Sequence, residues 1–199
     1  MKDRIKNGAN LLEDHVFQFD FLNDDFTKLP TALQAIVNDP EKRKKLVVYI
    51  NPPYAEVSSK DIKGKVGVNL TKVHKQYSHV LGTAGRELFA QFLIRIYAEM
   101  NGCYFAEFSK LKILQGSAFI GLKNFMEAKL EKCFVAPADT FDNVKGKFPI
   151  GFKIWNTSKK EKFIKINTDV YDENGIFIGV KSFNAHEKKS IHQQMDFTI

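Results

Sequence analysis

The chain has 199 residues, 44% hydrophobic and 13% aromatic, with 18 phenylalanines. That length suits one domain with a sizeable core, and the aromatic share excludes a disordered or low-complexity protein. Thirty Lys and Arg against 23 Asp and Glu give a net charge of +7, which is compatible with a polyanionic partner.

In chain order, Val16–Phe19 reads as a short strand followed by the acidic turn residues Asn23, Asp24 and Asp25. Pro30 suits the first turn of a brief helix over Leu29–Val37. Leu46–Ile50 is a continuous β-rich run of the kind buried on both faces, and it stops at Asn51-Pro52-Pro53. A polar stretch follows, with His74 and His79 as loop residues. Leu88, Phe89, Phe92, Leu93, Ile96, Tyr97 and Met100 then recur at helical spacing, and Asn101-Gly102 ends that helix. Cys103–Phe108 is the next strand. Phe119, Leu122, Met126 and Leu130 predict a second helix, and Cys133–Val135 and Ile150–Trp155 two more strands. Phe163–Val170 and Ile176–Lys181 form a hairpin closed by the turn-rich Asp172-Glu173-Asn174-Gly175. Alternating strands and helices that end in hairpins indicate an open α/β sheet with antiparallel last strands.

Ligands of such sheets bind at the carboxyl ends of the strands. Asn51-Pro52-Pro53-Tyr54 sits at one such end, directly after a β-run. As a bare tetrapeptide it is also an ordinary turn. Its placement favours chemistry.

On these four residues the chain resembles the amino-methylating S-adenosylmethionine (SAM) methyltransferases, in particular the N6-adenine DNA methyltransferases of restriction–modification systems. The resemblance implies a partial Rossmann-like methyltransferase sheet with SAM as cofactor and double-stranded DNA as substrate. In that family the tetrapeptide, motif IV, holds a flipped-out adenine. An exocyclic amine is a poor nucleophile because its lone pair is delocalised into the ring. Acceptors on the Asn51 side chain and the Pro52 carbonyl would take hydrogen bonds from the N6 hydrogens and aim the lone pair at the sulfonium methyl. Pro52 and Pro53 would keep the acceptors aligned, and Tyr54 would stack on the base. No metal is required.

The resemblance extends to other segments. Asp20-Phe21-Leu22 looks like motif III, whose Asp contacts the adenine amino group of SAM, with Phe21 over the cofactor's adenine face. Gly85–Met100 resembles the motif V helix, with Leu88 at its cofactor-facing start. Phe141-Asp142-Asn143-Val144 and Phe148-Pro149-Ile150 resemble motif VIII, where an aromatic ring covers the far face of the base. Phe141 and Phe148 are both candidates, and the loop position favours Phe141.

The departures are as informative. Only Gly8 precedes Asp20, so the glycine-rich motif I has no counterpart, and neither has the acidic residue for the cofactor's ribose. Residues 1–199 are therefore expected to be a partial catalytic domain, motif III to motif VIII, with no separate target-recognition domain. An upstream polypeptide would supply motif I. Two other readings stand beside this one: a protein-glutamine methyltransferase, whose amide acceptor poses the same lone-pair problem, and an inactive fragment that only binds DNA or a partner. From Lys42 to Lys75, nine Lys and Arg face only Glu56 and Asp61, a basic flank to the proposed site.

No apolar run approaches the roughly 20 residues that span a bilayer, and Met1–Lys6 leads into no signal-like region. Two cysteines, Cys103 and Cys133, cannot build a disulfide framework or a four-thiolate zinc site, and pack as small apolar groups on neighbouring strands. The expected setting is the cytoplasm.

Overall fold

Six strands form one mixed sheet in the order β1-β2-β4-β3-β5-β6. They are β1 (Val47–Ile50), β2 (Tyr104–Lys110), β3 (Ala128–Pro137), β4 (Pro149–Lys160), β5 (Lys165–Tyr171) and β6 (Phe177–Asn184). The computed structural model describes residues 6–8, 15–52, 71–141 and 148–185. β1 pairs parallel with β2 and β3 with β5, whereas β4 runs antiparallel between β2 and β3, and β6 antiparallel to β5. The α/β architecture, with parallel strands and an antiparallel C-terminal hairpin, is as the sequence predicts. The hairpin turn forms on Asp172, whose Oδ1 accepts from the Asn174 and Ile176 amides, with Gly175 in the left-handed region at φ 77°.

Among the described residues the sheet is accompanied by the helices α1 (Thr31–Val37), α2 (Pro40–Arg43), α3 (Lys72–Leu81), α4 (Leu88–Glu99), α5 (Lys112–Gln115) and α6 (Ile120–Phe125). α4 is the long apolar helix. Its buried Phe89, Leu93, Ile94 and Ile96 join Phe119 and Leu122 against Phe105, Val135, Trp155 and Phe183 of the sheet. Phe89 stacks on Phe119 at 5.4 Å and Phe105 on Trp155 at 6.1 Å. Such ring pairs add about 0.5–1.5 kcal/mol to the burial itself.

Several elements depart from the sequence reading. Val16–Phe19 is not in the sheet; Phe19 instead joins Phe21 and Phe26 in an aromatic cluster. β1 is not buried on both faces. Among the described residues it is an edge strand, with Val47 and Tyr49 each 62% exposed and Val48 and Ile50 turned toward the core. The polar stretch contains α3, capped by Thr71, whose hydroxyl accepts the His74 amide, so His74 and His79 are helical. His74 packs closely on Gly85, where a Cβ would stand 2.9 Å from the imidazole. The helix predicted through Leu130 ends at Phe125, because β3 already begins at Ala128. Cys103 and Cys133 are free and buried, but β4 lies between β2 and β3, so their strands are not neighbours.

One ion pair holds the centre of the sheet. Lys153 on β4 and Glu107 on β2 are fully buried and 3.2 Å apart. Lys153 Nζ also donates to the carbonyls of Gly151 at 2.9 Å and Ser109 at 3.2 Å, and the Trp155 indole donates to Glu107. Burial pushes the Glu107 carboxyl above the usual carboxylate range, and the Lys153 charge offsets this only in part. Removing one partner of such a pair leaves a buried uncompensated charge and costs about 3–5 kcal/mol, whereas replacing both with apolar groups is often neutral. In urea unfolding, Lys153→Ala is expected to lose about that amount. The double change Glu107→Leu with Lys153→Met should recover most of it. Equal losses in both variants would contradict this account.

Candidate functional site at the carboxyl edge of the sheet

β1, β2, β3 and β5 point the same way, so their carboxyl ends share one edge, where antiparallel β4 begins. Asn51 and Pro52 lie on that edge as the first two residues after β1. Asn51 is exposed and Pro52 buried. A proline buried directly after a strand fixes the exit of the chain, because its φ is set by the ring. Pro53 and Tyr54 lie outside the described residues.

The same edge receives the start of α4. Glu87, just ahead of Leu88, forms ion pairs with Lys112 at 2.5 Å and Lys110 at 3.7 Å, at the end of β2. Leu88 is thus held at the carboxyl edge, partly buried against the core. β3 leads there into a 3-10 turn over Ala138–Thr140, closed by the Phe141 amide donating to Ala138. The Ala138 amide donates to the Phe148 carbonyl at 2.9 Å, which ties the end of β3 to the start of β4. Both motif VIII candidates are therefore on the edge with Asn51. They differ in setting. Phe141 packs edge-on against Phe108 at 5.3 Å, while Phe148 is 37% exposed and makes no ring contact among the described residues.

Phe141 continues a row of rings across the sheet face opposite the helices. Tyr49, Phe108, Phe152, Phe134, Tyr171 and Phe177 each come from a different strand and touch in sequence, from 4.7 Å for Phe108–Phe152 to 6.4 Å for Tyr49–Phe108. None of the six belongs to the core formed with the helices.

Asp20 and Phe21 are placed differently. Phe21 stacks on Phe92 of α4 at 5.2 Å, and the segment is clamped by Arg95, which is almost wholly buried. The Arg95 guanidinium donates to the carbonyls of Phe21 and Asp24, pairs with Glu99 at 2.9 Å, and lies over the Phe26 ring at 4.3 Å. The Asp20 carboxylate closes its own turn: Oδ1 accepts from the Leu22 amide and Oδ2 from the Asn23 side chain. The structure thus places Asn51, Pro52, Leu88, Phe141 and Phe148 at the carboxyl edge, and seats Asp20 and Phe21 against the helix layer. Arg95 and the ring row escaped the sequence reading. An arginine at i−4 from Glu99 on an apolar helix is the signal that could have flagged the clamp.

The basic flank is also redistributed. Lys42–Lys45 precede β1 and lie at its amino end, about 20 Å from Asn51 at ~3.3 Å per strand residue. Lys42 and Lys44 pair with Asp39 and Glu41, and Lys72 with Asp25. Lys60, Lys63 and Lys65 lie outside the described residues. No cluster of three metal-ligating side chains occurs among the described residues, and no helix there is long and apolar enough to cross a membrane.

No protein-family model matches the chain, and no curated protein matches it. Among solved structures, it is similar to a modification subunit of a putative type I restriction enzyme from Vibrio vulnificus YJ016. The identity there is 14% and the TM-score 0.45, over 65% of this chain and 28% of that one. It is similar to a type I restriction-modification methyltransferase subunit from Streptococcus thermophilus, at 16% identity and a TM-score of 0.40, over 71% and 29% of the two chains. The DrdV–DNA complex is a third, at 13% identity and a TM-score of 0.43, over 66% and 15%. The chain therefore spans less than a third of each of these proteins.

The contrast between the two phenylalanines is measurable. Phe141→Ala should cost about 1–2 kcal/mol of stability through its lost contact with Phe108. Phe148→Ala should cost about 0.5 kcal/mol or less, as surface changes do. Thermal unfolding of the two variants decides, and the reverse order would reassign the packed ring.

Proposed function

We propose that this chain carries the amine-activating part of a SAM-dependent N6-adenine DNA methyltransferase of a restriction–modification system. The supporting observation is the position of Asn51-Pro52, directly after a parallel strand and on one edge with Leu88, Phe141 and Phe148. In this reading the Asn51 side-chain oxygen and the Pro52 carbonyl accept the two amino hydrogens of the flipped adenine. The nitrogen then pyramidalises, and its lone pair points away from the ring. Acceptors fixed beforehand stabilise that geometry without reorganising during the reaction. Tyr54 and Phe141 cover the two faces of the base, offsetting part of the unstacking cost.

The described residues fit the methyl-acceptor side of such a site and not the SAM side. The Asp20 carboxylate closes a local turn against the helix layer, and of the cofactor contacts expected from sequence only Leu88 lies on the carboxyl edge. SAM, which supplies an electrophilic methyl group when bound, would be held chiefly by a further segment or polypeptide. Two features support such an addition. Among the described residues β1 pairs on one side only, leaving an edge that can take a further parallel strand. Parallel strands are ordinarily covered on both faces, and a helix following an added strand would cover the ring row beside Tyr49.

The test is methyl transfer from labelled SAM to DNA, using the chain together with the product of the adjoining upstream reading frame. The label is expected at adenine N6. Asn51→Ala should lower the rate by ~100-fold or more, the loss typical of removing a preorganised polar contact, while the chain still folds cooperatively. A fully active Asn51→Ala variant would refute the assignment, and label on a glutamine-bearing protein in place of DNA would move it to the amide methyltransferases.

A further inference from the structure

On the helix side, away from the carboxyl edge, a cavity of about 530 Å³ opens between α5, α6 and the segment leading into β5. Its floor is Ile113, Met126 and Trp155, each at most 4% exposed, and its rim includes Ile120 and Ile164, 44% and 76% exposed. The polar lining consists of Lys123, Asn124 and Lys162, with no carboxylate among the residues that form the wall. Lys162 is exposed and forms no ion pair among the described residues. Volume, apolar floor and a few polar groups are those of a small-molecule site. The floor is stiff as well, because the Trp155 indole is stacked on Phe105 and donates to Glu107 of the buried ion pair. A preformed wall of this kind spares a ligand the cost of ordering it.

We infer that this cavity binds a small amphiphilic anion, its apolar body on Trp155 and Met126 and its charge toward Lys162. Charge complementarity selects the anion: the ionisable groups of the lining are all cationic, so an amphiphilic cation is repelled and a neutral body gains only burial. The site is independent of the methyltransferase reading, since it uses none of the residues on the carboxyl edge.

Trp155 is the sole tryptophan of the chain and forms part of the wall, so the protein carries its own reporter. The full chain is titrated with 1-anilinonaphthalene-8-sulfonate, an aromatic anion, and with neutral N-phenyl-1-naphthylamine, which has a similar body. Saturable binding of the anion should quench Trp155 with an affinity of about 10–100 μM. Lys162→Glu should weaken the anion about fivefold while leaving the neutral probe within about twofold, because reversing one exposed charge shifts only the electrostatic part. Ile120→Asp, at an exposed position on the rim, should weaken both. Absence of saturable quenching overturns the inference. So does an anion affinity indifferent to Lys162→Glu, which would mark general apolar adsorption.

Discussion

The carboxylate of Glu107 and the ammonium of Lys153 meet at the middle of the sheet with no solvent contact, and the register of β4 follows from that meeting. Glu107 pairs with Lys153 across β2 and β4, and a slip of one residue would turn Lys153 to the ring-bearing face and leave Glu107 buried alone. Apolar neighbours do not select one register so sharply, because isoleucine and phenylalanine on adjacent positions can exchange roles at modest cost. A buried charge cannot. Once β4 is fixed between β2 and β3, its start at Pro149 must fall on the edge where β1 ends. That requirement brings Phe141 and Phe148 to the same edge as Asn51, although some ninety residues separate them in the chain.

In the proposed reading, Asn51-Pro52-Pro53-Tyr54 needs stiffness more than it needs catalytic groups. An amine activated by two acceptors responds to their spacing, and a small misplacement costs more than the loss of a weak contact. β1 supplies one side of that stiffness through its pairing with β2 and the burial of Pro52. The Glu87 ion pairs supply the other by holding the start of α4 against the end of β2. The Arg95 clamp works at a different place. It fastens the segment from Phe21 to Phe26 onto α4, which makes that segment part of the helix layer.

Much of the architecture was legible because its signals are local. The apolar spacing of Leu88–Met100, the β-run before Asn51 and the turn at Asp172–Gly175 each encode an element within a few residues. α3 was missed since its apolar residues, Val73, Tyr77, Val80 and Leu81, are diluted by lysines and histidines, although their i, i+4, i+7, i+8 spacing is helical. Val16–Phe19 has the composition of a strand, but composition does not say whether a partner edge is within reach, and its rings found a cluster. The exposure of β1 was illegible for the same reason. Valines and a tyrosine in a row look buried, and only the strand order reveals an edge. Position along the chain also misled the reading of charge, because four lysines and arginines adjacent to β1 in sequence lie at the end opposite Asn51.

The two edges of the sheet are not equivalent, and the difference bears on where a partner strand would add. β6 exposes Phe177, Ile178 and Val180, yet its pairing with β5 is interrupted by a register shift at Val170/Tyr171, and an exposed Lys181 lies within the strand. Bulges and lysines of this kind are how natural sheets blunt an edge against pairing. β1 has neither. Its four residues, Val47 to Ile50, hold no charge, no proline and no register shift, and half of them are 62% exposed on the outer face. The only guard β1 has among these devices is its four-residue length, so of the two edges it is the more open to a further strand. In the proposed reading, an added strand would pair beside β1 and not beside β6, at the strand whose end carries Asn51.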